Sequence, residues 1–101
     1  MAKQQYIYVL KLIPYFMDDN NWTVKEEEII NRHFTRLQCM LSDGRLILAG
    51  RTLEKTFGLV IFEAESEVEA RRLMNDDPAV TEGMMTAELF PYHVALIRGE
   101  K

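Results

Sequence analysis

Cysteine is nearly absent from this chain: Cys39 is the only one in 101 residues. An internal disulfide is thereby excluded, and a reducing compartment is the natural setting. Long apolar runs are missing too, none approaching the roughly 20 residues of a membrane span. The opening stretch MAKQQYIYVLKLIPYF is interrupted by Lys11 and Pro14 and has no small-residue cleavage site, unlike a secretory leader. A cytoplasmic location with no membrane partner is expected. Basic residues are outnumbered, 12 against 16, for a net charge of -4. With no basic run, the chain lacks the face that a nucleic-acid backbone requires. The two histidines, His33 and His93, have no metal-ligand spacing, and neither a GxGxxG nor a P-loop is present, so no metal and no cofactor are expected.

What is present is an ordinary globular balance, 48% apolar and 28% charged, over a length that suits one domain spanning residues 1–101. Gln5 to Ile13 reads as a strand rich in β-branched and aromatic residues and closed by Pro14. Pro14 to Trp22 is a connecting loop, either a lid over a pocket or a segment pinned to the core by its aromatics. Thr23 to Gly44 then forms the organising helix. Thr23 and Glu26 make a capping box, Gly44 supplies a left-handed stop, and Leu37 centres an apolar face with Ile30, Phe34 and Leu41. Met40 stands at its margin, and His33 falls inside it. Arg45 to Gly50 and Phe57 to Glu63 are two strands of an antiparallel hairpin joined by the polar turn Arg51 to Thr56. Ser66 to Asp76 is a second capped helix, stopped by Pro78, with Asp77 extending its buried stripe. Met84 to His93 is a last strand, with Pro91 marking an edge or a bulge. Val94 to Ile97 either prolong that strand or form an arm, and Arg98 to Lys101 are a frayed tail.

Strand, helix, strand, strand, helix, strand is the order of a ferredoxin-like α+β protomer, an antiparallel sheet with two helices on one face. The strands are nonetheless apolar on both sides: Ile7 and Val9 alternate with Tyr6, Tyr8 and Leu10, and Leu59 and Ile61 with Val60 and Phe62. A sheet face of that kind left wet exposes more apolar surface than a monomer usually carries. A homodimer through the open faces is the expected remedy.

The candidate chemistry lies in the groove between the two helices, where His33 and Asp77 can meet. A carboxylate accepting from imidazole Nδ1–H leaves Nε2 free as a general base. The competing reading is a hydrogen-bonded core histidine, with Asp77 satisfying backbone amides past the helix end. Arg36 flanks the same stripe, placed either to hold an anion or to pair with surface carboxylates. Tyr8 offers a phenol to a ligand, or only packing.

The segments HFTRL, GRLILAG and DDPAV followed by EG, in that order and spacing, resemble the YciI-like (YCII-related) family of the dimeric α/β-barrel superfamily. The resemblance runs over most of the chain. It implies a ferredoxin-like protomer, face-to-face dimers and a histidine–aspartate pair as the site, which maps onto His33 and Asp77. One member of the family eliminates chloride from a chlorinated hydroxyquinone, so the implied precedent is a cofactor-free proton abstraction on a small organic molecule. Gly50 and Arg51 are expected substrate contacts, but Arg51 stands where a proline commonly follows the LAG stretch, which leaves the rim open: Arg51 is either a cationic contact for an anionic substrate or a solvated turn residue. A non-catalytic ligand-binding module using the same groove is the alternative.

Overall fold

The computed structural model describes residues 3–99; Glu100 and Lys101 of the expected tail lie outside them. Strand β1 (Gln4–Leu12) is followed by two short 3-10 turns, Pro14–Met17 and Asp19–Asn21, and by helix α1 (Val24–Ser42). Strands β2 (Leu46–Arg51) and β3 (Gly58–Ala64) form the hairpin, and α2 (Glu67–Asn75) follows. A short helix absent from the sequence reading, α3 (Pro78–Thr81), precedes the last strand, β4 (Met85–Pro91). The sheet order is β2-β3-β1-β4 with every pairing antiparallel. The fold is ferredoxin-like α+β, and Pro91 ends an edge strand, where a missing N–H costs no ladder bond.

Local chemistry sets the helix ends. At α1 the Thr23 side chain accepts from Lys25 N, while Glu26 Oε1 accepts from Thr23 N at 2.8 Å. Gly44 closes the helix at φ +82°, a conformation that is costly for a residue with a Cβ. Thr23→Ala is expected to cost about 1 kcal/mol, read as a lower urea midpoint at unchanged m-value.

Register builds the core. One face of the sheet carries the rows Leu46–Phe62–Tyr6 and Ala49–Val60–Tyr8–Leu89. Tyr6, Tyr8, Val60 and Phe62 on this face are sealed under the helices, with Tyr8 and Phe62 edge to face at 5.6 Å. The opposite face carries the row Leu48–Ile61–Ile7–Phe90, half-buried at its centre, with Leu48 and Phe90 each 46% exposed at its ends.

The buried face of α1 is rotated from the one expected. Ile29, Leu37 and Met40 are buried, with Glu26 alongside, whereas Phe34 and Leu41 are 60% and 58% exposed. At about 100° per residue, the buried arc runs from Ile29 to Leu37 with His33 in its middle. Ile30, Phe34 and Leu41 form the neighbouring arc. They overhang the β2 side of the sheet, where no second layer covers them. The Pro14 to Trp22 connection is knotted by its own bonds, Trp22 Nε1 to Phe16 O at 2.8 Å and Asn21 Nδ2 to Tyr15 O at 2.7 Å. Phe16 and Trp22 are half-buried, but Tyr15 and Met17 face outward, so its aromatics pin it only in part. Past Tyr92 the chain leaves the sheet as an arm in which Leu96 is almost wholly exposed.

Candidate active site

Three elements deliver one buried polar cluster. The sheet register puts Tyr8 at the centre of the helix-covered face, the middle of the α1 arc presents His33, and the α2–α3 junction presents Asp77. Asp77 does not extend the α2 stripe as expected. Asp76 is the C-cap of α2, and Asp77 is the N-cap of α3, with Pro78 at the first helical position. An aspartate followed by proline is the signature of such a start, so the sequence did carry the signal for this helix.

Asp77 is wholly buried, and both of its carboxylate oxygens accept hydrogen bonds. Oδ1 accepts from His33 Nδ1 at 2.7 Å and from Ala79 N at 2.9 Å, while Oδ2 accepts from the Tyr8 hydroxyl at 2.7 Å. The two readings of Asp77, imidazole partner and amide acceptor, are therefore both realised in one group. Burial by itself would push the Asp77 carboxyl up. His33, the Tyr8 hydroxyl and the Ala79 amide outweigh it and hold the group below the usual carboxylate range. Burial, reinforced by the Asp77 charge and hydrogen bond, pushes the Tyr8 phenol up, with the Arg36 guanidinium working weakly the other way. Tyr8 thus stays a donor and Asp77 an anion.

An acceptor carboxylate dictates the tautomer: Nδ1 of His33 carries a proton, so in the neutral ring the free lone pair is on Nε2. Among the described residues nothing bonds Nε2. The His33 side chain is 14% exposed, and it lines a groove of roughly 870 Å³. Ile30, Phe34 and Leu41 of α1 line that groove, together with Trp22 and Phe57. Ala49 and Gly58 of the sheet line it as well. A Cβ on Gly58 would come within 3.2 Å of Gly50 O.

Of the expected site residues, His33, Gly50 and Arg51 line this groove, whereas Tyr8 and Arg36 do not. Tyr8 stands behind Asp77. Arg36 points to the other flank of α1, where Nη2 donates to Leu73 O at 2.7 Å, and Nη1 is buried without a partner. It therefore bridges α1 to α2 instead of meeting the surface carboxylates, and it lies outside the cavity, which opens on the β2 side of α1 and not between the two helices as expected. Asp43 pairs with Arg45 at 3.2 Å, and Cys39 is exposed, away from the cluster. Sequence reasoning missed Lys55 among the groove-lining residues, while Trp22, which also lines it, ends the loop read either as a lid or as pinned to the core. Lys55 Nζ pairs with Asp19 and lies 5.3 Å from the Trp22 ring, a contact between separate loops that no local pattern encodes. Among the described residues no group of three His, Cys, Asp or Glu side chains could hold a metal ion, and no helix is long and apolar enough to cross a membrane.

Fold and site together define a ferredoxin-like α+β protein in which a buried carboxylate backs a histidine that opens into an apolar groove. More narrowly, residues 9–91 match the YCII-related domain, and the chain belongs to that family. No curated protein matches it at a significant level.

Proposed function

We propose that this protein is a cofactor-free acid–base enzyme of the lyase or isomerase type, acting on a small organic molecule through His33 and Asp77. The observation that carries this reading is the one-sided histidine, with Nδ1 tied to a buried anion at 2.7 Å and Nε2 unpartnered in a groove. Nε2 takes a proton from a carbon or hydroxyl beside an electron-withdrawing group. The imidazolium that forms is stabilised by Asp77, which is already ionised. The proton then returns at a second position for an isomerisation, or a leaving group departs for an elimination. Tyr8 and Ala79 N–H hold the carboxylate in place. The test is proton–deuterium exchange of small carbonyl compounds in D2O, followed by NMR. Exchange that His33→Gln and Asp77→Asn leave at the wild-type rate would remove the assignment.

A ligand-binding module is the second reading. Asp77 favours it in one respect, because capping α3 is reason enough for an aspartate there. In that case ligand binding would survive in both variants, and no exchange would be found in the wild type.

The assembly we propose is a homodimer through the open sheet face. The row Leu48–Ile61–Ile7–Phe90 runs across all four strands, and a face of that kind is the part of a ferredoxin-like sheet that helices do not cover. Light scattering should give twice the chain mass at micromolar concentration, and Ile61→Glu should halve it without changing the far-UV spectrum. A wild-type monomer would exclude the arrangement.

A further inference from the structure

We infer that the groove beside His33 takes a carboxylic acid with an extended apolar body, its carboxylate on Arg51 and its far end at the imidazole. The inference rests on the His33 reading for the position of the reacting end only. The chain as a whole is acidic, with 16 carboxylate side chains against 12 cations, yet none of the described residues lining the groove is Asp or Glu. The charged groups that do line it are Arg51 and Lys55. A groove cleared of one sign on a protein rich in it is complementary to the same sign in a ligand.

The two cations are not equivalent. Lys55 is already engaged by Asp19 and lies against Trp22. The Arg51 guanidinium donates one bond, to the carbonyl of its neighbour Thr52 at 3.1 Å, and its remaining N–H groups are available for a forked contact with a carboxylate. Its place in the sheet shows how far the groove runs across the strands. Arg51 is paired with Gly58, and Gly58 with Leu10, so these residues form one row on the helix-covered face, next to the row of Tyr8. Two strand spacings separate Arg51 from Leu10, about 10 Å. Between them lies Gly58, where a side chain would crowd Gly50 O and touch Arg51 Cβ, and Ile30, Phe34 and Leu41 line the same groove. A small, compact polar molecule would touch one end or the other. An apolar chain or ring system bearing a terminal carboxylate reaches both.

The probes are octanoate, 1-octanol and octylammonium, which share the body and differ in the head, titrated into the full-length protein by calorimetry and amide NMR. Octanoate should bind more tightly than the other two, with shifts concentrated at Arg51, Gly58 and Phe34. Arg51→Met should weaken octanoate about five-fold, the scale of an ion pair open to water, and leave 1-octanol unchanged. Ala49→Phe, which fills part of the groove, should weaken all three. His33→Gln should keep octanoate binding, so wild-type exchange in that variant with binding retained would sink only the catalytic reading. Equal affinity for octanoate and octylammonium, indifference to Arg51→Met, or amide shifts elsewhere on the surface would overturn the ligand assignment. So would absence of binding because a second copy of the chain fills the groove, seen as concentration-dependent shifts of the same amides.

Discussion

Replacing Asp77 with alanine is expected to lower the unfolding free energy by about 3–5 kcal/mol, the range for deleting one member of a buried charged cluster. Three donors lose their acceptor at once: His33 Nδ1, the Tyr8 hydroxyl and Ala79 N–H. Two of them belong to groups that burial keeps from water, since Tyr8 and Ala79 have no exposed surface. On a chain of this size the melting temperature should fall by more than about 12 °C. Asp77→Asn keeps the shape and most of the bonds, so its loss should be less than half as large.

The two variants also separate in acid. The folded Asp77 carboxyl is held below its unfolded value of about 3.9. The unfolded chain therefore binds that proton first as pH falls. The stabilisation is complete above pH ~5 and is lost progressively as pH drops through the lower, folded value. Asp77→Asn should lack this part of the acid limb. Urea titrations at several pH values check both points. An alanine variant within about 1 kcal/mol of wild type, or an acid limb unchanged by Asn, would mean the cluster contributes little.

The second large effect concerns chemistry. His33→Gln is expected to reduce kcat/KM for any substrate found by the exchange experiment by about 10²–10⁴-fold, the usual contribution of a positioned acid–base group. Gln preserves a donor toward Asp77 but has no basic nitrogen. Because His33 is partly open to the groove, its replacement should leave the fold intact, with a melting temperature closer to wild type than that of Asp77→Ala. Asp77→Asn is expected to lower the rate by a comparable factor, since an amide neither enforces the tautomer nor stabilises the imidazolium. A rate loss in one variant without the other would break the pairing.

Much of the architecture was legible along the chain because it is written in local rules. The Thr23–Glu26 box, the Gly44 stop and the proline at the end of the last strand are each decided by a few neighbouring residues. The alternation of Tyr6, Tyr8 and Leu10 with Ile7 and Val9 decides which sheet face is which. The pairing of His33 with Asp77 was also foreseeable, since both fall on one layer of a βαββαβ order. The rotation of α1 was not. Its apolar residues span a wider arc than one contact can cover, and periodicity cannot tell the part that meets the sheet from the part that overhangs a groove. Reading Leu37 as the centre moved the stripe by about 40° from His33, at about 100° per residue, and put Phe34 and Leu41 in the core.

By itself, then, the sequence determined the fold class, the order of elements and the identity of the histidine and the aspartate, because propensity, capping and periodicity act over a few residues. Only the tertiary structure decided what surrounds them. Tyr8 meets Asp77 across 69 residues, Arg36 turns to the Leu73 carbonyl rather than to the groove, and Arg51 faces Leu10 across Gly58 through strand register. Such contacts depend on how helices seat on a twisted sheet, which is settled by the packing of the whole layer at once.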